Sequence, residues 1–176
     1  RAARQAGYRS RAALKLLEIN RKFRLLRPGM RVADLGCWPG GWLQIAAAAV
    51  GPNGVVVGVD LEEVVDLGLA NVSTLAGDVR SAETIAAFRA RLGGPADVIL
   101  SDLAPKLTGI RDVDRARQLA LCETALGFCA EVLSSHGAFL IKLFSDSEGE
   151  ASRLLRERFR SVSAYRPGTT RKGSSE

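Results

Sequence analysis

A lysine in an apolar stretch is the least ordinary chemical feature of this sequence. Lys142 lies in the segment Phe139–Phe144, and the remaining five residues of this segment are all apolar. Burying an ammonium group is costly unless a carboxylate lies beside it. Asp102 follows a predicted strand at 97–101 and supplies that carboxylate if the two segments are neighbouring strands of one sheet. The sequence therefore predicts a shielded Lys142–Asp102 pair, with a purely structural ion pair as the alternative.

Such a pair suits the removal of a proton from a weakly acidic group, such as a ribose hydroxyl. A general base must be able to lose its own proton near neutral pH. A desolvated lysine beside a second cation meets this requirement. Lys15 lies in the most basic part of the chain and is the candidate second cation, although a lysine of this kind is commonly a solvated residue on a helix. Lys142 is the candidate base.

A glycine-rich segment, Gly36–Gly41, predicts a ligand site of a different kind. It lies between a predicted strand and a helix-like segment, where glycines let the backbone approach a ligand and the start of the helix offers free N–H groups. A dinucleotide site requires GxGxxG, which Pro39 and two flanking tryptophans interrupt here. We therefore expect a nucleoside ligand without a pyrophosphate.

Acidic residues follow successive predicted strands. Asp60 can accept hydrogen bonds from both hydroxyls of a ribose, and Asp78 can read the amino edge of an adenine on which Val79 packs. Either aspartate taken alone is also explained as a helix cap or turn residue. Together with Asp102 they favour a ligand site at the ends of the strands.

The elements that must position these residues alternate between strand and helix. This order predicts an α/β fold with a doubly wound, mostly parallel sheet, helices on both faces, and the ligand at the carboxyl ends of the strands. The predicted strands lie at 31–34, 55–59, 72–76, 97–101, 138–144 and 162–165, and the predicted helices at 8–26, 42–50, 82–92, 113–133 and 150–159.

Composition and charge indicate a single domain with a polyanionic partner. The 176 residues are 47% hydrophobic and 25% charged, so we expect one domain spanning 1–176. The net charge is +6, and within the basic N-terminal region, 1–27, Glu18 is the only acid. This region predicts binding to nucleic-acid phosphates, with a solvated leader as the alternative. The three cysteines lack metal-site spacing, and no apolar run is long enough for a membrane helix, so we expect no metal, no membrane and a cytoplasmic location.

Four segments of the chain resemble, in the same order, those of FtsJ-type ribosomal RNA large-subunit 2′-O-methyltransferases. They are Arg9–Ile19, Asp34–Trp42, Ser101–Pro105 and Ile141–Phe144. The resemblance covers nearly the whole chain. It implies a Rossmann-like, S-adenosylmethionine-dependent methyltransferase fold, whose last antiparallel strand is missing from the given sequence.

The resemblance also implies a catalytic tetrad and a set of cofactor contacts. The tetrad is carried over to Lys15, Asp102, Lys142 and Glu176, with Ser175 where an arginine is commoner. Cys37 and Trp38 stand where the family has small residues. The implied contacts to S-adenosylmethionine are Gly36, Gly40, Trp42, Asp60, Asp78, Val79 and Asp102.

The implied substrate is a ribose 2′-OH, that of a uridine in 23S ribosomal RNA, within the large ribosomal subunit. We expect a monomer. One alternative is the same reaction on transfer RNA or another RNA. Another is an RNA-binding or ribosome assembly factor that has lost catalysis, against which the retention of all four charged positions argues. A small-molecule methyltransferase is disfavoured by the basic N-terminal region.

Overall fold

Five parallel strands form a sheet at the centre of the molecule. The computed structural model describes residues 2–170, so Glu176 lies outside the described residues. The strand order is β3-β2-β1-β4-β5, and successive strands are joined by crossovers that change direction between β1 and β4. Ligands of such sheets bind outside the carboxyl ends of the strands at this point. The strands are β1 (Arg31–Leu35), β2 (Val55–Asp60), β3 (Val72–Ala76), β4 (Ala96–Ser101) and β5 (Leu133–Ile141).

Helices cover both faces of this sheet. They are α1 (Ala2–Gln5), α2 (Ala12–Phe23), α3 (Gly41–Val50), α4 (Ala82–Leu92), α5 (Arg111–Val132) and α6 (Glu148–Arg156), and a short 3-10 turn at Ser145–Ser147 precedes the last. Helix α2 is shorter than the predicted 8–26 because Arg24 takes a left-handed conformation, with φ of 50°, and its N–H donates to Asn20 O. Across residues 2–170, none of the helices has the length and apolarity needed to cross a membrane.

Alternate residues of the central strands pack in two separate cores, because successive side chains of a strand point to opposite faces of the sheet. Val32, Val56 and Val98 pack with the buried faces of α2 and α3. Ala33, Val57 and Ile99 pack with those of α4 and α5. The runs are apolar on both faces, as a parallel sheet between two helix layers requires. The predicted α/β fold with helices on both faces is confirmed.

The expectation that Lys142 lies inside a buried strand is wrong. Strand β5 begins at Leu133, five residues before the predicted start, and ends at Ile141, so that Lys142 directly follows it. Most of its residues are half-buried, because β5 pairs only with β4 among the described residues. An edge strand is covered by neighbours on one side only, so the apolar run did not indicate full burial.

The predicted strand at 162–165 is also wrong, and residues 2–170 contain no antiparallel pairing. Side chains of this segment are held by tertiary contacts instead. Val162 packs against the cluster formed by α5 and α6. The Tyr165 hydroxyl donates to Glu18 Oε1 at 2.8 Å. These side chains hold the segment on two different elements, and it pairs with no strand among residues 2–170.

Candidate active site

Asp102 and Lys142 are brought side by side by the register of the sheet. Ser101 of β4 pairs with Ile141 of β5, so the residues that follow each strand are also neighbours. The Lys142 N–H donates to Ser101 O at 2.9 Å, and the Asp102 N–H donates to Leu35 O at 2.9 Å. These bonds continue the ladder past the ends of the strands and fix both backbones at the carboxyl edge of the sheet.

The two side chains form an ion pair, Lys142 Nζ with Asp102 Oδ1. Their side chains are 20% and 19% exposed, so the pair is largely shielded from bulk water but remains partly accessible. Charge interactions are stronger in such partly buried surroundings than at an exposed surface. The arrangement holds an amine at a defined position next to a carboxylate, which is the requirement for a positioned acid or base.

Lys15 is carried by α2, which is anchored firmly to the rest of the molecule. Ala13 and Leu16 are fully buried on either side of it, and Lys15 itself is half-buried. The Trp42 indole N–H donates to Ala12 O at 2.8 Å and ties the start of α2 to α3. Because Glu176 lies outside the described residues, assembly of all four tetrad residues stays a prediction.

Gly36 allows the loop after β1 to press against the end of β4. Its φ is +75°, and a Cβ placed there would lie 3.0 Å from Leu103 N and 3.1 Å from the carbonyl carbon of Asp102. A side chain would therefore strain the backbone and push the loop away from Asp102. Gly40, with φ of +108°, is the N-cap of α3. The glycine-rich segment forms a cradle beside the Lys142–Asp102 pair.

Asp34 is a further acidic residue of this region, to which no ligand role was assigned from the sequence. It is completely buried within β1, and neither carboxylate oxygen has a hydrogen-bond partner among the described residues. Burial, together with the nearby charges of Asp102 and Asp60, raises the pKa of Asp34 well above its usual range. The sequence signal was an acid inside an apolar strand, directly before the glycine-rich segment.

Three carboxyl groups thus converge on the cradle: Asp34, Asp60 and Asp102. Surroundings rich in carboxyl groups disfavour a pyrophosphate and suit a ligand that is cationic or donates hydrogen bonds. A buried acid without a partner and a glycine-lined approach together fit a positively charged nucleoside such as S-adenosylmethionine.

Asp60 is held in place at the end of β2. Its Oδ2 accepts from the Trp38 N–H at 2.9 Å, and its Oδ1 accepts from the Glu62 N–H at 3.0 Å. These bonds fix the carboxylate beside the glycine-rich segment, and each oxygen keeps acceptor capacity for a further donor. Binding of ribose hydroxyls by Asp60 stays a prediction.

Asp78 and Val79 follow β3 and are already engaged with protein groups. Asp78 forms a salt bridge with Arg80 at 2.6 Å, and this guanidinium holds the pKa of Asp78 at about 2. Val79 packs against the core shared by α4 and α5. Adenine recognition by these residues stays a prediction, and it would have to share the Asp78 carboxylate with Arg80.

Comparison with known proteins shows the family of this chain. The profile of the FtsJ-like methyltransferase family matches residues 8–176. The chain belongs to this family. Membership confirms the predicted S-adenosylmethionine cofactor.

Two relatives illustrate how far the similarity to FtsJ-like methyltransferases extends. Ribosomal RNA large subunit methyltransferase E of Methanothrix thermoacetophila is 46% identical over 177 residues, which are 100% of this chain and 68% of that protein. The protein of the same name from Bradyrhizobium diazoefficiens is 46% identical over 178 residues, covering 99% of this chain and 77% of that protein.

Solved structures share the Rossmann-like methyltransferase fold. A ribosomal RNA methyltransferase of Plasmodium falciparum superposes with a TM-score of 0.82 at 23% identity, covering 92% of this chain and 93% of that one. Fibrillarin of Aeropyrum pernix, in complex with S-adenosyl-L-methionine, gives a TM-score of 0.59 at 18% identity, covering 85% of this chain and 65% of that one.

The glycine-rich segment departs from the FtsJ-type pattern at Cys37 and Trp38. The structure shows where these two larger side chains lie. Cys37 is buried and turns towards Gly58 of β2, whose lack of a side chain leaves the space. Trp38 is 58% exposed. The Trp42 side chain is only 4% exposed, and its indole N–H is already bonded to Ala12. The predicted cofactor contact of Trp42 would therefore fall to its backbone.

Proposed function

We propose that this protein transfers a methyl group from S-adenosylmethionine to the ribose 2′-OH of a uridine in 23S ribosomal RNA. The observation that carries the proposal is the shielded Lys142–Asp102 pair beside the acid-lined glycine cradle. Ribosomal RNA as the substrate is supported by the names of relatives that are 46% identical over the whole chain. We take 1–176 as one domain that acts as a cytoplasmic monomer on the large subunit.

The cofactor would be held by the glycine-rich segment and the acids around it. Gly36 and Gly40 allow close approach of the backbone, and Asp60 and Asp102 offer carboxylates at the ends of β2 and β4. The first N–H groups of α3 suit the carboxylate of a methionine moiety. The bound cofactor supplies an electrophilic methyl group on a positively charged sulfur.

The residues of the chain then act on the substrate hydroxyl. In its unprotonated form, Lys142 Nζ accepts the proton of the 2′-OH, so that the ribose oxygen becomes the nucleophile, and the neutral thioether of the cofactor would be the leaving group. Asp102 orients the amine through the ion pair. Lys15, on α2, is the candidate for a second positive charge in the site. Glu176 completes the set from the C-terminal segment. The basic N-terminal region, 1–27, holds the RNA phosphates.

The proposal is tested with the full-length protein and labelled S-adenosylmethionine. Large subunits from a strain that lacks the enzyme, free ribosomal RNA and transfer RNA are offered in parallel. We expect label in 23S RNA, at a nucleotide resistant to alkaline cleavage, as 2′-O-methylation requires. Label in transfer RNA alone would overturn the ribosomal substrate. Cofactor binding without transfer to any RNA would indicate an RNA-binding protein instead.

A further inference from the structure

Arg9, in the basic N-terminal region, connects two other segments of the chain. Its guanidinium donates from Nη1 to Pro39 O at 3.3 Å and to Val65 O, and from Nη2 to Asp66 O at 2.7 Å. Pro39 belongs to the glycine-rich segment, whereas the other two acceptors belong to residues 61–71, the β2–β3 segment. One side chain therefore joins the segments that follow β1 and β2 at the carboxyl edge of the sheet.

The backbone of Arg9 is itself fixed by a side chain of α3. The Arg9 N–H donates to Gln44 Oε1 at 2.9 Å, and Gln44 Nε2 donates to Gly7 O at 3.1 Å. Arg9 is half-buried, although it lies in the region predicted to contact RNA phosphates, whereas Arg21 of the same region is exposed. The guanidinium of Arg9 is therefore held by the fold at a defined position.

Packing at Gly40 brings the same segments together. A Cβ placed at Gly40 would lie 3.2 Å from Leu67 Cδ2 and 3.4 Å from Arg9 Cδ. Leu67 and the buried Val64 pack on the core that α2 and α3 share. These apolar contacts anchor side chains of the β2–β3 segment, whereas the Arg9 bonds hold two of its backbone carbonyl groups. The two kinds of contact therefore restrain different parts of this segment.

The two segments that Arg9 joins carry proposed contacts to the cofactor. Asp60, the candidate acceptor for ribose hydroxyls, directly precedes the β2–β3 segment, and its Oδ2 accepts from the Trp38 N–H. Gly40 directly follows Pro39 in the glycine-rich segment. Hydrogen bonds from a charged donor are stronger than those between neutral groups, so the Arg9 bonds restrict the spacing between the two segments. A site that is held in its binding arrangement beforehand binds its ligand more tightly.

We propose that Arg9 is a positioning residue of the cofactor site, which holds the β2–β3 segment against the glycine-rich segment and does not contact RNA. This inference rests on the proposed function, because it places S-adenosylmethionine between Asp60 and the glycine-rich segment. Arg9 acts through three backbone carbonyl groups and not on the reacting atoms. The basic N-terminal region then contributes to the cofactor site as well as to RNA binding.

The first test measures the affinity for S-adenosylmethionine by calorimetry. In Arg9→Ala, we expect the cofactor Kd to rise about tenfold, which corresponds to a binding arrangement populated about one tenth of the time. Arg9→Lys should give an intermediate Kd, because one ammonium group does not match the fork of a guanidinium, and it decides the test if Arg9→Ala does not fold. The matched control, Arg21→Ala, removes an exposed arginine and should leave Kd unchanged. A wild-type Kd in the Arg9 variants would overturn the proposal.

The second test separates this role from direct contact with RNA. Binding of labelled RNA is measured without cofactor at several salt concentrations. Loss of one phosphate contact lowers the slope of log K against log salt by about one. We expect Arg9→Ala to keep the wild-type slope, because its guanidinium is engaged by carbonyl groups of the protein. A slope lowered by about one would overturn the proposal, since Arg9 would then contact a phosphate.

Steady-state kinetics distinguish positioning of the cofactor from a general loss of structure. In Arg9→Ala, we expect the KM for S-adenosylmethionine to rise while kcat at saturating cofactor stays near the wild-type value. A fall in kcat with an unchanged KM would overturn the proposal. Should the wild-type protein bind the cofactor but methylate no RNA, the proposed function fails, while the Kd measurements still decide the role of Arg9.

A double variant tests whether Arg9 acts through the segment that Asp60 precedes. Asp60→Ala alone should raise the cofactor Kd, and a wild-type Kd in this variant would overturn the cofactor placement on which the inference rests. In the Asp60→Ala background, Arg9→Ala should raise Kd much less than it does alone, because the carboxylate that it positions is gone. Fully additive losses would overturn the proposal.

Discussion

At the scale of single residues, the base proposed at Lys142 must be distinguishable from a lysine that only balances the charge of Asp102. Lys142→Arg makes this distinction, because a guanidinium retains the positive charge but does not give up its proton near neutral pH. We expect both Lys142→Arg and Lys142→Ala to lower the rate of transfer by about 100-fold or more, with the cofactor Kd near that of the wild type. Single-turnover assays with labelled cofactor measure the rate. Substantial activity in Lys142→Arg would remove the assigned base.

Asp34 gives a residue-scale prediction for the pH dependence of stability. Burial and the neighbouring Asp102 and Asp60 raise its pKa well above its usual range. The folded state therefore keeps a proton that the unfolded chain releases above about pH 4. Since the folded state then binds more protons, this residue makes the free energy of unfolding fall as the pH rises, by up to about 1.4 kcal/mol per pH unit.

Asp34→Asn removes this titration while keeping the size of the side chain. Urea unfolding of the cofactor-free protein should show the variant gaining stability relative to the wild type between pH 5 and pH 7. Titrations that the two proteins share cancel in the difference. Parallel stability profiles would mean that Asp34 is ionised in the folded state.

At the scale of elements, the fit between β2 and the glycine-rich segment depends on Gly58. A Cβ at Gly58 would lie 2.7 Å from Cys37 Sγ and 2.9 Å from Leu43 Cδ2. We expect Gly58→Ala to lower the free energy of unfolding by about 1–3 kcal/mol through overpacking. Cys37→Ala removes the sulfur and should recover part of that loss in the double variant. Urea unfolding of the four proteins tests this, and strictly additive changes would contradict the contact.

Elements were predictable from the sequence where local pattern and tertiary structure agree. The runs of β1, β2 and β4 are buried on both faces, and Asp60 and Asp102 stand at the ligand ends of β2 and β4. The end of β5 at Ile141 was not predictable, because the apolar run continues to Phe144 and only strand pairing decides where it stops. The contact of Tyr165 with Glu18 links residues 147 positions apart, which no local pattern shows. The Lys142–Asp102 juxtaposition could be predicted because parallel register places the ends of neighbouring strands together.

At the scale of the whole molecule, we expect one basic face to bind RNA and the opposite basic face to carry charge without binding RNA. Helix α2 and the turn that follows it expose Arg21 and Arg27, on the side of the sheet that α2 and α3 cover. Helix α4 exposes Arg89 and Arg91 on the opposite side. If only the net charge of +6 mattered, arginines on either side of the sheet would contribute equally to the binding of a polyanion.

Two double variants that remove the same amount of charge decide whether position matters. Arg21→Ala with Arg27→Ala should weaken RNA binding and lower the slope of log K against log salt by about one for each phosphate that the variant no longer neutralises. Arg89→Ala with Arg91→Ala should leave that slope near the wild-type value, because these arginines lie across the sheet. Binding is measured by titrating labelled RNA at several salt concentrations, and the cofactor Kd should not change in either variant. Equal weakening by the two pairs would mean that net charge, rather than the basic N-terminal region, attracts the RNA.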